Sequence, residues 1–371
     1  MELANKMNCT GCGLCREVCP GGAISMEEDL KDGFRYPMID SSRCIECGLC
    51  THSCPEIATH YTREDYDVQA YAANAKDLSI RKGSASGGMF WLLARHVLKI
   101  GGSVVGVKYG EGLNAYHVLI DRQDELPELV RSKYMQSDMT KVYGTMEQRL
   151  KTGKMVLFCG TPCQVSAVRQ LFSQKQLDGK LILVDLICRG VPSPKAFHAY
   201  ASQIELEQGK KLSSVIFKDK EQGWHNRGVR FCFEDGSSIV EGWRQSEFLQ
   251  SFIFENLCVR RSCFSCQYKR EDRISDITIG DFWAKEEIPL LDNIGTSSVL
   301  INTKKGKELF QVLIDENQVD FIETTAQTVA GGSPAAYGGL KEYFGQRDLF
   351  WNLLETCDYR TAYRKVKEDE I

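Results

Sequence analysis

No run in the 371 residues approaches the roughly eighteen apolar residues of a membrane span, the longest stretches being MFWLLA and MVLF. An integral membrane segment is therefore not expected. The opening MELANKMNC has neither a basic lead nor an apolar stretch, so no secretory signal is read and a cytoplasmic location follows. Positive charge is not in excess: 46 Lys and Arg stand against 50 Asp and Glu, a formal net charge of −4. That balance removes the global electrostatic support a nucleic-acid partner would need, and no nucleic acid is expected. No P-loop, HExxH or GxSxG is present, and the lack of a complete GxGxxG fingerprint disfavours a nicotinamide as direct electron donor. Disorder is excluded by 43% hydrophobic and 10% aromatic residues, and the length suits about two or three domains.

Cysteine, in contrast, is abundant. In a reducing compartment 16 cysteines read as metal ligands or redox groups before disulfides. CTGCGLCREVCP places Cys9, Cys12, Cys15 and Cys19 ahead of Pro20, and CIECGLCTHSCP repeats the pattern with Cys44, Cys47, Cys50, Cys54 and Pro55. This is the CxxCxxCxxxCP run of bacterial two-cluster ferredoxins, in which the fourth cysteine serves the other cluster. Cys9, Cys12, Cys15 and Cys54 are thus expected to hold one [4Fe–4S], and Cys44, Cys47, Cys50 and Cys19 the second. Gly11, Gly13 and Gly48 let backbone N–H groups approach the sulfurs, and each proline turns the chain away. Crossed ligation explains the duplication, since each half needs the other half's cysteine. A pair of structural zinc sites is the alternative, but a CxxCxxC triplet with a remote fourth ligand is not zinc's usual pairing. Residues 1–60 carry five Lys/Arg and nine Asp/Glu, so the acidity of the whole chain sits in this arm and favours a basic docking partner.

Beyond residue 60 the pattern changes. Residues 61–80 read as a connector running into a strand. SGGMFWLLARHVLKI has apolar residues at helical spacing with Ser86 as N-cap. SVVGVKY, AYHVLID, KMVLFC, LILVDLI, SSVIFK, GVRFCFE and SDITIG read as strands, with EDG at 234–236 as a hairpin turn. MTKVYGTMEQRLKTG reads as a helix closed by Gly153, and helices are expected over 163–174, 194–208, 246–257 and 304–315. The fold class is α+β: an N-terminal ferredoxin-like two-cluster domain followed by a mixed α/β body.

Eight cysteines remain. Cys232 and Cys357 read as buried small hydrophobes. Cys159 and Cys163 lie at a strand-to-helix turn, Cys188 at a strand end, and Cys263 and Cys266 in a CxxC with Cys258 nearby; composition alone leaves a third metal site and plain burial both open. His117 alternates with apolar neighbours on a strand and reads as a satisfied core histidine ahead of an active-site role. Capping explains Asp276 and Asp281 as well as catalysis does, and no catalytic residue is singled out.

SASGGMF, RSKYMQSD, VLFCGTPCQV, VDLICRGVPSP, SCFSCQYK, SDITIGDFWA and SVLINTKKG, in this order up to about residue 305, resemble the coenzyme F420 hydrogenase/dehydrogenase beta-subunit family in the form with an N-terminal two-cluster ferredoxin. The resemblance implies three parts: 1–60, a two-[4Fe–4S] ferredoxin domain; 61–150, the family's N-terminal α/β domain; and 151–371, its C-terminal domain. It implies FAD and a third [4Fe–4S] on Cys163, Cys188, Cys263 and Cys266, with Cys258 the competitor for one place. It puts FAD between two helix-opening turns, on Ser84, Ser86, Gly87 and Gly88 of one and Gly160, Thr161 and Gln164 of the other, with Lys133, Tyr134, Gln136 and Ser137 as further contacts. Taken without the resemblance, each turn is an ordinary helix start. Where relatives read CHGVPSP this chain has Arg189, which stays charged where a histidine would move a proton.

The function so implied is an FAD- and iron–sulfur-dependent oxidoreductase. Reduced ferredoxin or a partner subunit would supply electrons, which pass to a two-electron acceptor, an F420-like carrier or another substrate. The rival is an electron-transfer subunit with no substrate of its own, feeding a partner enzyme. The oligomeric state stays open.

Overall fold

VLFCG at 156–160 and LILVD at 181–185 are buried along their length, as strands covered on both faces must be. The computed structural model describes residues 3–59, 61–62, 65–283, 288–340 and 344–368. Positions 63–64 of the connector and Ala284 of SDITIGDFWA fall outside these. In the arm, β1 (Ile24–Glu28) and β2 (Arg35–Ile39) form a two-stranded antiparallel sheet. The body contributes β3 (Gln69–Ala75), β4 (Ser103–Tyr109), β5 (Ala115–Ile120), β6 (Val156–Gly160), β7 (Leu181–Leu186), β8 (Leu212–Asp219), β9 (Gly228–Phe233), β10 (Ser238–Gly242), β11 (Ile277–Asp281), β12 (Ser297–Ile301) and β13 (Val319–Thr324).

An eight-stranded mixed sheet has the order β13-β3-β12-β11-β7-β6-β4-β5. Its centre, β11, β7, β6 and β4, is parallel, and antiparallel strands close both edges. The period of two along each strand divides the apolar residues between two layers. Val105, Phe158 and Leu183 face helices Val142–Lys151 and Pro162–Gln174, whereas Val104, Leu157 and Val184 face Met89–Lys99 and Lys304–Asp315. β4 precedes residue 150 and β6 follows it, so the sheet runs across that position. A smaller antiparallel sheet, β10-β9-β8, packs with helices Pro194–Gln208, Phe344–Leu354 and Tyr359–Glu368 in a third core around Phe217, Phe231 and Trp351.

The expected helices over 163–174, 194–208 and 304–315 form nearly as read, and the EDG turn joins β9 to β10. Two readings need correction. Ser86 does not cap its helix: Gly88, at φ 93°, is the N-cap, while the Ser86 hydroxyl donates to the Thr296 carbonyl at 2.7 Å. The helix over 246–257 is instead one short turn, Glu247–Leu249, that widens into a π-turn over Gln250–Phe254. There the Ser251 hydroxyl takes the Phe248 carbonyl at 2.9 Å, competing with the helical ladder. Helix Leu78–Gly83, capped by Asp77, and strand β13 were not legible from pattern.

Asp276 is structural. Its carboxylate accepts the Leu183 N–H at 2.7 Å and the Thr303 hydroxyl at 2.9 Å, and Thr303 in turn caps Lys304–Asp315. Asp276→Ala leaves both donors buried and is expected to cost about 3 kcal/mol, read as a lower denaturant midpoint at unchanged iron content.

Candidate iron–sulfur and flavin sites

Both cysteine motifs fold alike. Gly13 (φ 75°, ψ 4°) and Gly48 (φ 75°, ψ −4°) precede one-turn helices Leu14–Glu17 and Leu49–His52 in a left-handed conformation that a side chain would strain. Each turn wraps three cysteines around a hollow and sends the fourth across. One hollow, of about 360 Å³, is lined by Cys9, Cys12, Cys15 and Cys54; the other, of about 330 Å³, by Cys19, Cys44, Cys47 and Cys50. Among the described residues no three His, Cys, Asp or Glu side chains meet closely enough to share a single metal ion. The thiols surround a space rather than a point. That suits a cubane, whose irons each take one thiolate, and not zinc, which draws four sulfurs to about 2.3 Å of one atom. The Ala23 N–H donates to Cys19 Sγ at 3.2 Å, a contact that stabilises a thiolate. Burial pushes the Cys12 thiol up to about 12, and Cys9 and Cys54 beside it add to the rise.

The first hollow faces the body. Arg260, 1% exposed, donates through Nε to the Cys9 carbonyl at 2.8 Å, through Nη1 to Gln136 at 2.7 Å, and through Nη2 to the Arg35 carbonyl at 3.0 Å and to Cys9 Sγ at 3.7 Å. Its guanidinium also lies over the rings of Phe34 and Tyr36. Tyr143 donates to the Cys12 carbonyl at 2.9 Å. Beside Cys54, Glu56 accepts from the Tyr268 hydroxyl at 2.6 Å, and Gln267 donates to the Pro55 carbonyl at 3.2 Å. Gln267 and Tyr268 directly follow Cys266. The second hollow lies farther out, with Cys47, Ile45 and Leu49 exposed.

Cys163, Cys188, Cys263 and Cys266 form a third group, gathered from the start of helix Pro162–Gln174, the end of β7 and the 258–269 loop. Each lies within electrostatic reach of the others. Burial raises the Cys188 thiol to about 12 and Cys263 to about 11, with the neighbouring thiols adding to both, and Cys163 rises well above its ordinary value for the same reasons. Cys258 stands apart, fully buried in the small-sheet core against Ser251. Cys159 points into the opposite core layer. Cys232 lies half-buried on β9 and Cys357 past helix Phe344–Leu354, where its thiol donates to the Leu353 carbonyl.

The two turns expected to frame a flavin differ. Thr161 and Gln164 form a reciprocal capping box, Gln164 also donates to Ser137 at 3.0 Å, and Ser137 pairs with His117 Nδ1 at 3.1 Å. A Cβ on Gly160 would strike the Phe158 ring at 2.8 Å. The Lys133 ammonium contacts the carbonyls of Glu128, Val130 and Arg131, Tyr134 packs on Phe217 and Phe252, and Gln136 reaches the arm at the Thr10 carbonyl. In the 84–88 loop a Cβ on Gly87 would meet the Ala73 carbonyl at 2.5 Å, so its close approach is to the protein's own sheet. Ser84 Oγ, however, is buried with no partner. Around that loop cations crowd. Lys220 is lowered to about 7 by burial and by Arg131, Arg81 and Lys218, and its ammonium holds the Arg81, Ser86 and Ile294 carbonyls. Arg131 donates to the Gly83 carbonyl at 2.9 Å. A lone buried hydroxyl amid crowded cations fits the diphosphate of FAD.

Residues 153–327 match the family described as the C terminus of the coenzyme F420 hydrogenase/dehydrogenase beta subunit, and residues 8–58 match the 4Fe-4S dicluster domain. The chain thus joins a region similar to each of these two domains. The first is the domain of an oxidoreductase family, and the dicluster domain carries two [4Fe–4S] clusters. No curated protein matches the chain. The fold resembles that of a chain in the F420-reducing [NiFe] hydrogenase complex from Methanosarcina barkeri, studied with xenon, at 17% identity and a TM-score of 0.50 over 83% of this chain and 94% of that one. Among the described residues no helix is long and apolar enough to cross a membrane.

Within residues 153–327, Arg189 donates to the Phe252 carbonyl at 2.7 Å and to Asn256 at 2.8 Å, so it braces the π-turn. Arg260, Lys220, Lys269 and Glu56 carry no sequence signature; only the charge left buried in the folded chain shows them.

Two outcomes are expected. Cys19→Ala should remove about four irons and the outer cluster's signal while leaving the cluster on Cys9, Cys12 and Cys15, and Cys54→Ala should do the reverse, as read by iron assay and electron paramagnetic resonance. The second concerns His117, which burial lowers to about 4 although the Cys159 carbonyl at 3.3 Å opposes the shift. The folded chain refuses a proton that the unfolded chain takes near its ordinary pKa of about 6.5, so stability falls as the pH drops from 6.5 toward 4, by roughly 3 kcal/mol in all. Denaturant titration under argon should show that slope, and His117→Gln should reduce it.

Proposed function

We propose that the chain is an electron-transferring oxidoreductase subunit: a ferredoxin or partner subunit exchanges electrons at the N-terminal arm, and a two-electron acceptor, an F420-like carrier or another substrate, reacts at FAD in the body. Bound clusters would supply one-electron transfer and bound FAD the conversion between one-electron and two-electron chemistry. The observation that carries this reading is the seam at Cys9 and Cys54, where Arg260, Glu56 and Tyr268 hold the inner arm hollow against the loop bearing Cys263 and Cys266. The groups therefore follow one another across this seam: Cys19, Cys44, Cys47 and Cys50 on the far side of the arm, with Cys47 exposed, then Cys9, Cys12, Cys15 and Cys54, then Cys163, Cys188, Cys263 and Cys266.

The chain's own groups do the positioning. Arg260 and Tyr143 fix the arm, and the capping box of Thr161 and Gln164 fixes the turn that carries Cys163. Ser84 and Arg131 would contact the flavin's diphosphate, with the Lys220 ammonium, committed to three carbonyls, adding positive charge beside it. The exposed outer hollow and the acidic arm suit a partner with a basic face, and the similar chain from Methanosarcina barkeri belongs to a complex.

Anaerobic purification with iron, sulfide and flavin assays tests the reading. About twelve irons and one FAD per chain are expected, with flavin bleached by reduced ferredoxin and reoxidised by F420 or another two-electron acceptor. Eight irons without flavin would leave only the ferredoxin arm.

A further inference from the structure

Buried ammonium groups in this protein are supplied with acceptors. Lys218 pairs with Asp281, and Lys133 and Lys220 each reach three carbonyls. Lys269 differs. Among the described residues it is the one lysine whose Nζ is buried without any hydrogen-bond partner. It stands three residues beyond Cys266, on the chain turn whose Tyr268 and Lys269 N–H groups are directed at the Cys266 sulfur. Burial disfavours its charge and Arg189 repels it; the groups that attract it are Cys188, Cys263 and Cys266.

A buried cation with three unmet donors is costly unless an anion lies against it. A cubane on four thiolates is a net anion, and reduction adds one more negative charge. A fixed cation beside it therefore favours the reduced form and raises the potential. We propose that Lys269 is the charge-compensating residue of a third cluster on Cys163, Cys188, Cys263 and Cys266, setting its potential above that of the arm clusters so that electrons settle inward. This rests on the reading of those four cysteines as a cluster site. Lys269 is a positioning residue for charge and not a ligand.

The test is a redox titration of the full anaerobic protein followed by electron paramagnetic resonance, the body cluster being the signal lost in Cys188→Ala. In Lys269→Gln the body cluster's reduction equilibrium constant should fall about tenfold, about 59 mV for one electron, with both arm midpoints unmoved. Lys269→Arg, which keeps the charge, should stay within about threefold of the natural protein. A glutamine variant with the body signal present and its midpoint unmoved overturns the role of Lys269, as does an arginine variant that falls as far as glutamine. Should the glutamine variant lose the body signal, the arginine criterion decides alone. Natural protein with only the two arm clusters removes the third-cluster reading itself, a result distinct from an unmoved midpoint.

Discussion

The guanidinium of Arg260 is where the two parts of the chain become one structure. It is buried, it saturates carbonyls at Cys9 and Arg35 and the amide oxygen of Gln136, and its two ring neighbours, Phe34 and Tyr36, come from the arm. Its own backbone belongs to the loop that continues into Cys263, whose N–H donates to the Arg260 carbonyl at 3.0 Å. One side chain thus ties the peptide that presents Cys9 to the peptide that presents Cys263. Electron transfer between protein-bound centres depends on their separation, so a contact that fixes two cysteine groups relative to each other matters more than its hydrogen-bond energy alone. Leu14, buried beside Tyr143 and Met139, adds apolar area to the same seam.

The thiols obey the same desolvation physics whether or not they are grouped. Cys258 and Cys188 both rise to about 12, and in both burial is the first cause. What separates them is company. Cys188 has Cys263 and Cys266 beside it, and no ordinary side-chain environment would gather such mutually repelling anions once ionised. Cys258 has a serine hydroxyl and aromatic walls, and remains an inert small hydrophobe. Grouped thiols that resist ionisation this strongly lose their protons when a metal takes their place, so cluster assembly in the arm is coupled to proton release, and on the reading proposed above it would be in the body too.

The legibility of these features in the sequence follows from how far apart their parts lie. Cys9, Cys12 and Cys15 declare themselves because neighbouring residues wrap one cubane, and the crossing of Cys19 and Cys54 is forced by the repeat. The third group is assembled by sheet topology from residues 163, 188, 263 and 266, so spacing alone left it open and only resemblance drew it together. The parallel strands were legible as continuous apolar runs. Ser86 misled because its hydroxyl is spent across the sheet on Thr296, a contact 210 residues away that no local rule contains. The helix expected after residue 246 gave way to a π-turn because Ser251 bonds both Phe248 and Tyr359, again a tertiary partner. Arg260 and Lys269 were illegible for the same reason: a cation means something only once its surroundings are known.

Proton supply shows how burial limits what the body's residues can do. His117 is enclosed by the Cys159 carbonyl and Ser137, and desolvation holds it neutral far below physiological pH. Arg189 is committed to Phe252 and Asn256. Lys133 and Lys220 are lowered to about 7, yet each ammonium holds three backbone carbonyls, and losing its proton would remove a donor from that set. Burial first, and neighbouring cations second, lower both, while the three carbonyls around each ammonium favour its protonated form. On the reading proposed above, positive charge there would favour an anionic cofactor, and neither His117 nor Arg189 is placed to supply the proton of a two-electron reduction.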